Sequence, residues 1–96
     1  MKLEYHPEAR AEALDAAAYI EERRPGYGTE FKNEIREALR LIGREPKLWA
    51  VRLHGFRRCV TPRFKYQVWY RERGDSIYVI SVHHSSREPG YWKERI

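Results

Sequence analysis

Lys65-Tyr66-Gln67-Val68-Trp69-Tyr70-Arg71, then Gly74-Asp75, then Ser76-Ile77-Tyr78-Val79-Ile80-Ser81-Val82-His83-His84, is the stretch that decides the fold. Both runs are rich in β-branched and aromatic residues, and the Gly-Asp pair between them is a turn signal. In the first run Tyr66, Val68 and Tyr70 share one face, while Lys65, Gln67, Trp69 and Arg71 share the other. One side of such a sheet can meet a second layer while the other faces solvent. The second run is apolar at nearly every position from Ile77 to Val82, which predicts a central strand covered on both faces.

Working upstream, Ala50 to His54 and Phe56 to Thr61 are two more strand-like runs, bounded by His54-Gly55 and Thr61-Pro62. Their close spacing predicts an antiparallel meander. The first half reads differently. Lys2 to Tyr5 alternates in polarity like a short strand, and His6-Pro7-Glu8 has the form of a helix start, with proline at the first helical position. Ala9, Ala13, Leu14, Ala17 and Ile20 then recur at helical spacing to about Arg24, where Pro25-Gly26 breaks the chain. Tyr27, Phe31, Ile35, Ala38, Leu39 and Ile42 form a second apolar stripe, ended by Glu45-Pro46. So short a link predicts an antiparallel helical hairpin. The expected fold is α+β: an N-terminal strand, a helical hairpin on one face of an antiparallel sheet, and a basic C-terminal tail.

Ninety-six residues suit one domain spanning 1–96, with a single core. Apolar residues make up 42% and charged residues 34%, which argues against wholesale disorder, and no apolar run is long enough to cross a bilayer. The start of the chain lacks the apolar segment of a signal peptide, and Cys59 stands alone, so the expectation is a reducing cytoplasm. The net charge of +5 is distributed unevenly. Residues 1–48 carry 9 basic and 10 acidic side chains, residues 49–96 carry 10 and 4. A one-sided positive field of this kind favours an anionic partner.

Arg52, His54, Arg57, Arg58, Arg63, Lys65, Arg71 and Arg73 lie on or between the middle strands, interleaved with Phe56, Phe64, Tyr66, Trp69 and Tyr70. Guanidiniums that hold phosphates beside rings that stack on bases make single-stranded RNA sites, whereas charge on a sheet edge also serves simply to prevent aggregation. At the end of the last strand, His84 and Arg87 have the chemistry of a proton-transfer group and an oxyanion-stabilising cation. A buried structural imidazole is the competing reading for His84, and a tail-anchoring ion pair the competing reading for Arg87. His83 should point to the opposite face from His84, which argues against a two-histidine metal clamp. Lys32, Arg36, Arg40 and Arg44 form an i, i+4 stripe that is either a solvated face or an anionic docking strip. Cys59 reads as a small core residue. No phosphate loop, carboxylate pair or Ser/His/Asp triad appears, and neither a cofactor nor a metal is expected.

The order strand, helical hairpin, meander, together with Tyr66-x-Val68-x-Tyr70, Gly74-Asp75, Val82-x-His84-x-x-Arg87-x-Pro89 and Trp92 to Arg95, resembles the RelE/ParE superfamily of bacterial toxins over essentially the whole chain. The resemblance implies the toxin of a type II toxin-antitoxin module, neutralised by a cognate antitoxin whose acidic, partly disordered segment wraps around it, in a hetero-oligomer. RelE-like members cleave mRNA on the ribosome, and ParE-like members poison DNA gyrase. The His84-x-x-Arg87-x-Pro89 pattern and the Trp92-x-x-Arg95 tail look more like the ParE branch and related plasmid-stabilisation proteins. Ser86 stands where close relatives often carry a further arginine. The expected target is therefore gyrase, with the ribosome and mRNA as the alternative. In that alternative Arg58 and Arg87 would stabilise charge, His84 would transfer one proton, and Tyr91 or His54 the other.

Overall fold

The computed structural model describes residues 2–88 and 90–96; Pro89 of the quoted pattern lies outside the described residues. Strand β1 (Lys2–Tyr5) leads into helices α1 (Pro7–Arg23) and α2 (Tyr27–Arg44), followed by a short 3-10 turn at Pro46–Leu48. Strands β2 (Val51–Leu53), β3 (Phe56–Val60), β4 (Tyr66–Arg73) and β5 (Ser76–His84) come next, and a 3-10 helix over Tyr91–Arg95 ends the chain. His6 caps α1 by accepting the Glu8 amide hydrogen at its Nδ1, 3.1 Å away, and Pro7 supplies the preset first φ.

The hairpin closes through Gly26, whose φ of 91° reverses the chain, and through the Glu21 carboxylate, which accepts from the Gly26 and Gly28 amides. A Cβ on Gly28 would stand 2.8 Å from the Ala17 carbonyl oxygen, so this position must be glycine for α2 to approach α1 this closely. Phe31, Ile35, Ala38 and Ile42 of α2 are buried as their spacing predicts. Helix α1 contributes only Ala9 and Ala17 to the fully buried set, and Leu14, expected in its apolar stripe, is 58% exposed.

The sheet runs β1-β5-β4-β3-β2, with β4 at its centre and β5 an interior strand covered on both faces, as its apolar run predicts. Neighbours are antiparallel except at β1, which joins β5 in parallel from Lys2 opposite Ser76 to Tyr5 opposite Val79. The sheet is thus mostly, rather than wholly, antiparallel. A bulge in β5 sets Val79 opposite Tyr70 but Ser81 opposite Trp69, so Ile80 is the extra residue. Val79 and Val82 accordingly join the core under the helices, while Ile80 joins a cluster on the opposite face.

That second cluster corrects two expectations. The face carrying Trp69 does not look onto solvent: Phe56, Trp69, Ile80 and Trp92 form a small core there, with Trp92 at 0% exposure. The Trp92 ring centroid lies 5.1 Å from those of both Phe56 and Trp69. The tail is therefore part of the fold, because three large rings gain far more from mutual burial than a solvated tail would from its charge. Cys59 is buried in the helix-side core, and burial pushes its thiol pKa up to about 11.

Candidate functional site

Beyond Tyr5, where β1 gives way to α1, the outer edge of β5 has no strand to pair with, and side chains take over. The Val82 amide donates to Glu12 Oε1 at 3.0 Å, and the Ile80 carbonyl accepts from Arg95 Nη1 at 3.0 Å. Arg95 also grips the same carboxylate with both terminal nitrogens, Nη1 to Oε1 at 2.9 Å and Nη2 to Oε2 at 2.8 Å. The Tyr91 hydroxyl donates to Glu12 Oε2, and Arg87 approaches that oxygen at 3.5 Å. One carboxylate on α1 thus ties the end of β5 to the tail.

The electrostatics follow from this arrangement. Burial opposes ionisation of Glu12, but hydrogen bonds from Arg95, Tyr91 and the Val82 amide outweigh it and hold its pKa below the ordinary value. Burial, reinforced by donation to the Glu12 carboxylate, drives the Tyr91 phenol pKa well up. The Arg87 Cζ lies over the Tyr91 ring, 3.4 Å from its centre, and His83 meets that ring edge-on at 4.9 Å. Tyr91 is a fixed hydrogen-bond donor in this setting.

The two histidines lie on opposite faces of β5, as strand alternation predicts, and in different environments. His83 is 3% exposed, and burial pulls its pKa down to about 4. Its Nδ1 lies 3.3 Å from Ser81 Oγ, while Nε2 is buried with no partner among the described residues. His84, for which a buried structural role was an open reading, is exposed. The reason is position: it lies opposite Tyr66 at the last rung of the sheet, on the rim of an open recess rather than under the helices. Its Nδ1 accepts the Ser86 amide hydrogen at 3.0 Å, which places the proton of the neutral ring on Nε2.

His84 and Arg87 open on a recess of about 380 Å³ with Tyr19 and Asp15 of α1 and Tyr66 of β4. Arg58 is elsewhere. It lies opposite Trp69, on the sheet face of the second cluster, whereas His84 lies opposite Tyr66 on the helix face. His54 is likewise on the second side, edge-on to Trp92 at 6.0 Å. The structure therefore brings His84, Arg87 and Tyr91 to one end of β5 and leaves Arg58 and His54 apart from them. Glu12, which organises that end, carried no signal in the sequence, because its partners are 70 to 83 residues away.

A second depression of about 530 Å³ runs between the helices and β1. Leu3, Leu14, Ile35 and Leu39 line it, and Arg10, Lys32, Arg36 and Arg40 stand along it with no carboxylate among its lining residues. Three members of the basic α2 stripe thus border an apolar groove. No described helix is long and apolar enough to cross a membrane.

A family model described as ParE toxin of type II toxin-antitoxin system, parDE, matches residues 3–89. A search of curated proteins returned no match.

Proposed function

Because this chain belongs to the ParE toxin family, and is thus the toxin of a type II toxin-antitoxin module with an antitoxin protein as its partner, we propose that it acts in the cytoplasm by binding DNA gyrase, with no covalent chemistry of its own. The observation that supports this reading most is the engagement of Tyr91, Arg95 and Arg87 with Glu12. Metal-independent RNA cleavage needs one group to take the 2′-hydroxyl proton, another to protonate the leaving oxygen, and free cations for the phosphorane. Here the phenol is spent as a donor to a carboxylate, and that carboxylate partly neutralises Arg87. Arg58 lies across the sheet from His84. A protein-binding toxin needs none of these groups free.

A ribosome-dependent ribonuclease is the second reading, favoured by the recess that His84 and Arg87 share with Tyr66. Expression of the toxin without its antitoxin, with DNA topology and mRNA integrity followed together, separates the two. The gyrase reading expects gyrase-linked DNA breakage, intact mRNA and undiminished toxicity of His84→Ala. Lost mRNA with normal topology overturns it.

The groove between α1, α2 and β1 is the surface best suited to the antitoxin. An amphipathic helix with an acidic flank would place apolar anchors on Leu14 and Leu39 and carboxylates beside Arg10, Lys32 and Arg36. The hetero-oligomer expected from the sequence would form there.

A further inference from the structure

Four arginines of this chain are half-buried: Arg57, Arg58, Arg71 and Arg95. Two of them are fully occupied. Arg57 donates to the Trp49 carbonyl at 2.6 Å and pairs with Glu72, and Arg95 holds Glu12 and the Ile80 carbonyl. The other two have neither a hydrogen bond nor an ion pair among the described residues, and the Nε of each is buried without a partner.

Arg58 and Arg71 are also neighbours. Arg58 lies opposite Trp69, two residues before Arg71 on β4, so the two occupy diagonal positions on one face, roughly 7–8 Å apart. Each guanidinium rests on a ring of the second core: Arg58 lies 6.0 Å from the Trp69 centroid and Arg71 lies 5.3 Å from that of Phe56. Arg73 extends the row, 3.8 Å over Tyr78. Like charges at diagonal cross-strand positions repel, and partial burial denies them full hydration. An anion that bridges the two guanidiniums removes both penalties.

We infer that Arg58 and Arg71 form a seat for the phosphodiester backbone of duplex DNA. Guanidiniums present donor forks that match phosphate oxygens. Single-stranded nucleic acid would need exposed rings on which to stack, but Phe56 and Trp69 are buried under the tail. A peptide partner would need apolar anchors, and of the exposed large apolar side chains only Val60 lies on β3 or β4. A row of cations over sealed aromatics fits sequence-independent contact with a duplex. The inference goes beyond the gyrase reading and is measured without gyrase, so either can fail alone.

The test is fluorescence anisotropy with the full chain and two short labelled duplexes of unrelated sequence, titrated at several salt concentrations. Both duplexes should bind with similar affinity. The Arg58→Gln/Arg71→Gln variant, confirmed as folded by circular dichroism, should weaken both at least about tenfold and lower the log-log salt slope by about 2. Arg58→Lys/Arg71→Lys should keep most of the binding, since lysine still serves phosphate as a point charge. Unchanged duplex binding in the glutamine variant overturns the inference. So does absent duplex binding alongside poly-L-glutamate binding that the same variant abolishes.

Discussion

Arg95, next to last in the chain, clasps Glu12 of the first helix with two near-parallel hydrogen bonds of 2.9 and 2.8 Å, and both side chains are largely buried, at 10% and 16% exposure. Helix α1, strand β5 and the tail meet at this pair. Removing either partner should therefore destabilise the protein more than a surface ion pair would.

Glu12→Ala leaves Arg95, Tyr91 and the Val82 amide without their acceptor. We expect a loss of about 3 kcal/mol, seen in urea unfolding as a shifted midpoint. Glu12→Met with Arg95→Leu should recover part of that loss, since no buried charge is then left unpaired and the partners that remain, Arg87 and Glu8, are exposed. A Glu12→Ala change within about 0.5 kcal/mol of the parent would mean the network contributes little.

His83 sets a pH dependence whose sign follows from burial. The unfolded chain takes up this proton near the ordinary histidine value of 6.5 and the folded chain only near 4, so between those values unfolding binds a proton. Stability is then full above about pH 6.5 and falls as the pH drops toward 4, by at most ~1.4 kcal/mol per pH unit. The slope reflects desolvation first, with the Glu12 carboxylate opposing it and Arg87, Arg95 and His84 adding to it. In His83→Gln the slope in this window should flatten. Glu12, whose folded pKa lies below its ordinary value of 4.5, adds its own loss as the pH falls below about 4.5.

Trp92→Ala opens the second core beneath the tail. A fully buried indole lost from contact with Phe56 and Trp69 should cost about 3–5 kcal/mol, a large share of the stability of a domain this size. Thermal unfolding followed by near-ultraviolet circular dichroism reads both the lower midpoint and the loss of aromatic packing.

Leu14→Glu tests the groove. Because Leu14 is exposed, the free protein should keep its stability within about 0.5 kcal/mol. Affinity for the cognate antitoxin, measured by calorimetry, should drop about tenfold or more, since the new carboxylate replaces an apolar anchor and faces an acidic ligand. Unaltered affinity would place the antitoxin on another surface.

Much of the fold was legible in local pattern. The α2 stripe from Phe31 to Ile42, the start at His6-Pro7, the break at Pro25-Gly26 and the apolar run of β5 each depend on neighbours within a turn or a strand, and each is where its spacing predicts. The candidate site was less legible. The bulge at Ile80 resets which face each residue of β5 presents, and no residue type near Ile80 announces it. That single insertion lets Val79 and Val82, three positions apart, both lie under the helices.

The sequence by itself determined the elements, their order and the placement of positive charge in the second half, because periodicity, turn residues and composition act over short range. Tertiary structure alone decided which of those charges are used up. Arg57 and Arg95 meet Glu72 and Glu12, whereas Arg58 and Arg71 meet no carboxylate among the described residues. An ion pair needs contact within a few ångströms, and for Glu12 that contact is made with a residue 83 positions away along the chain.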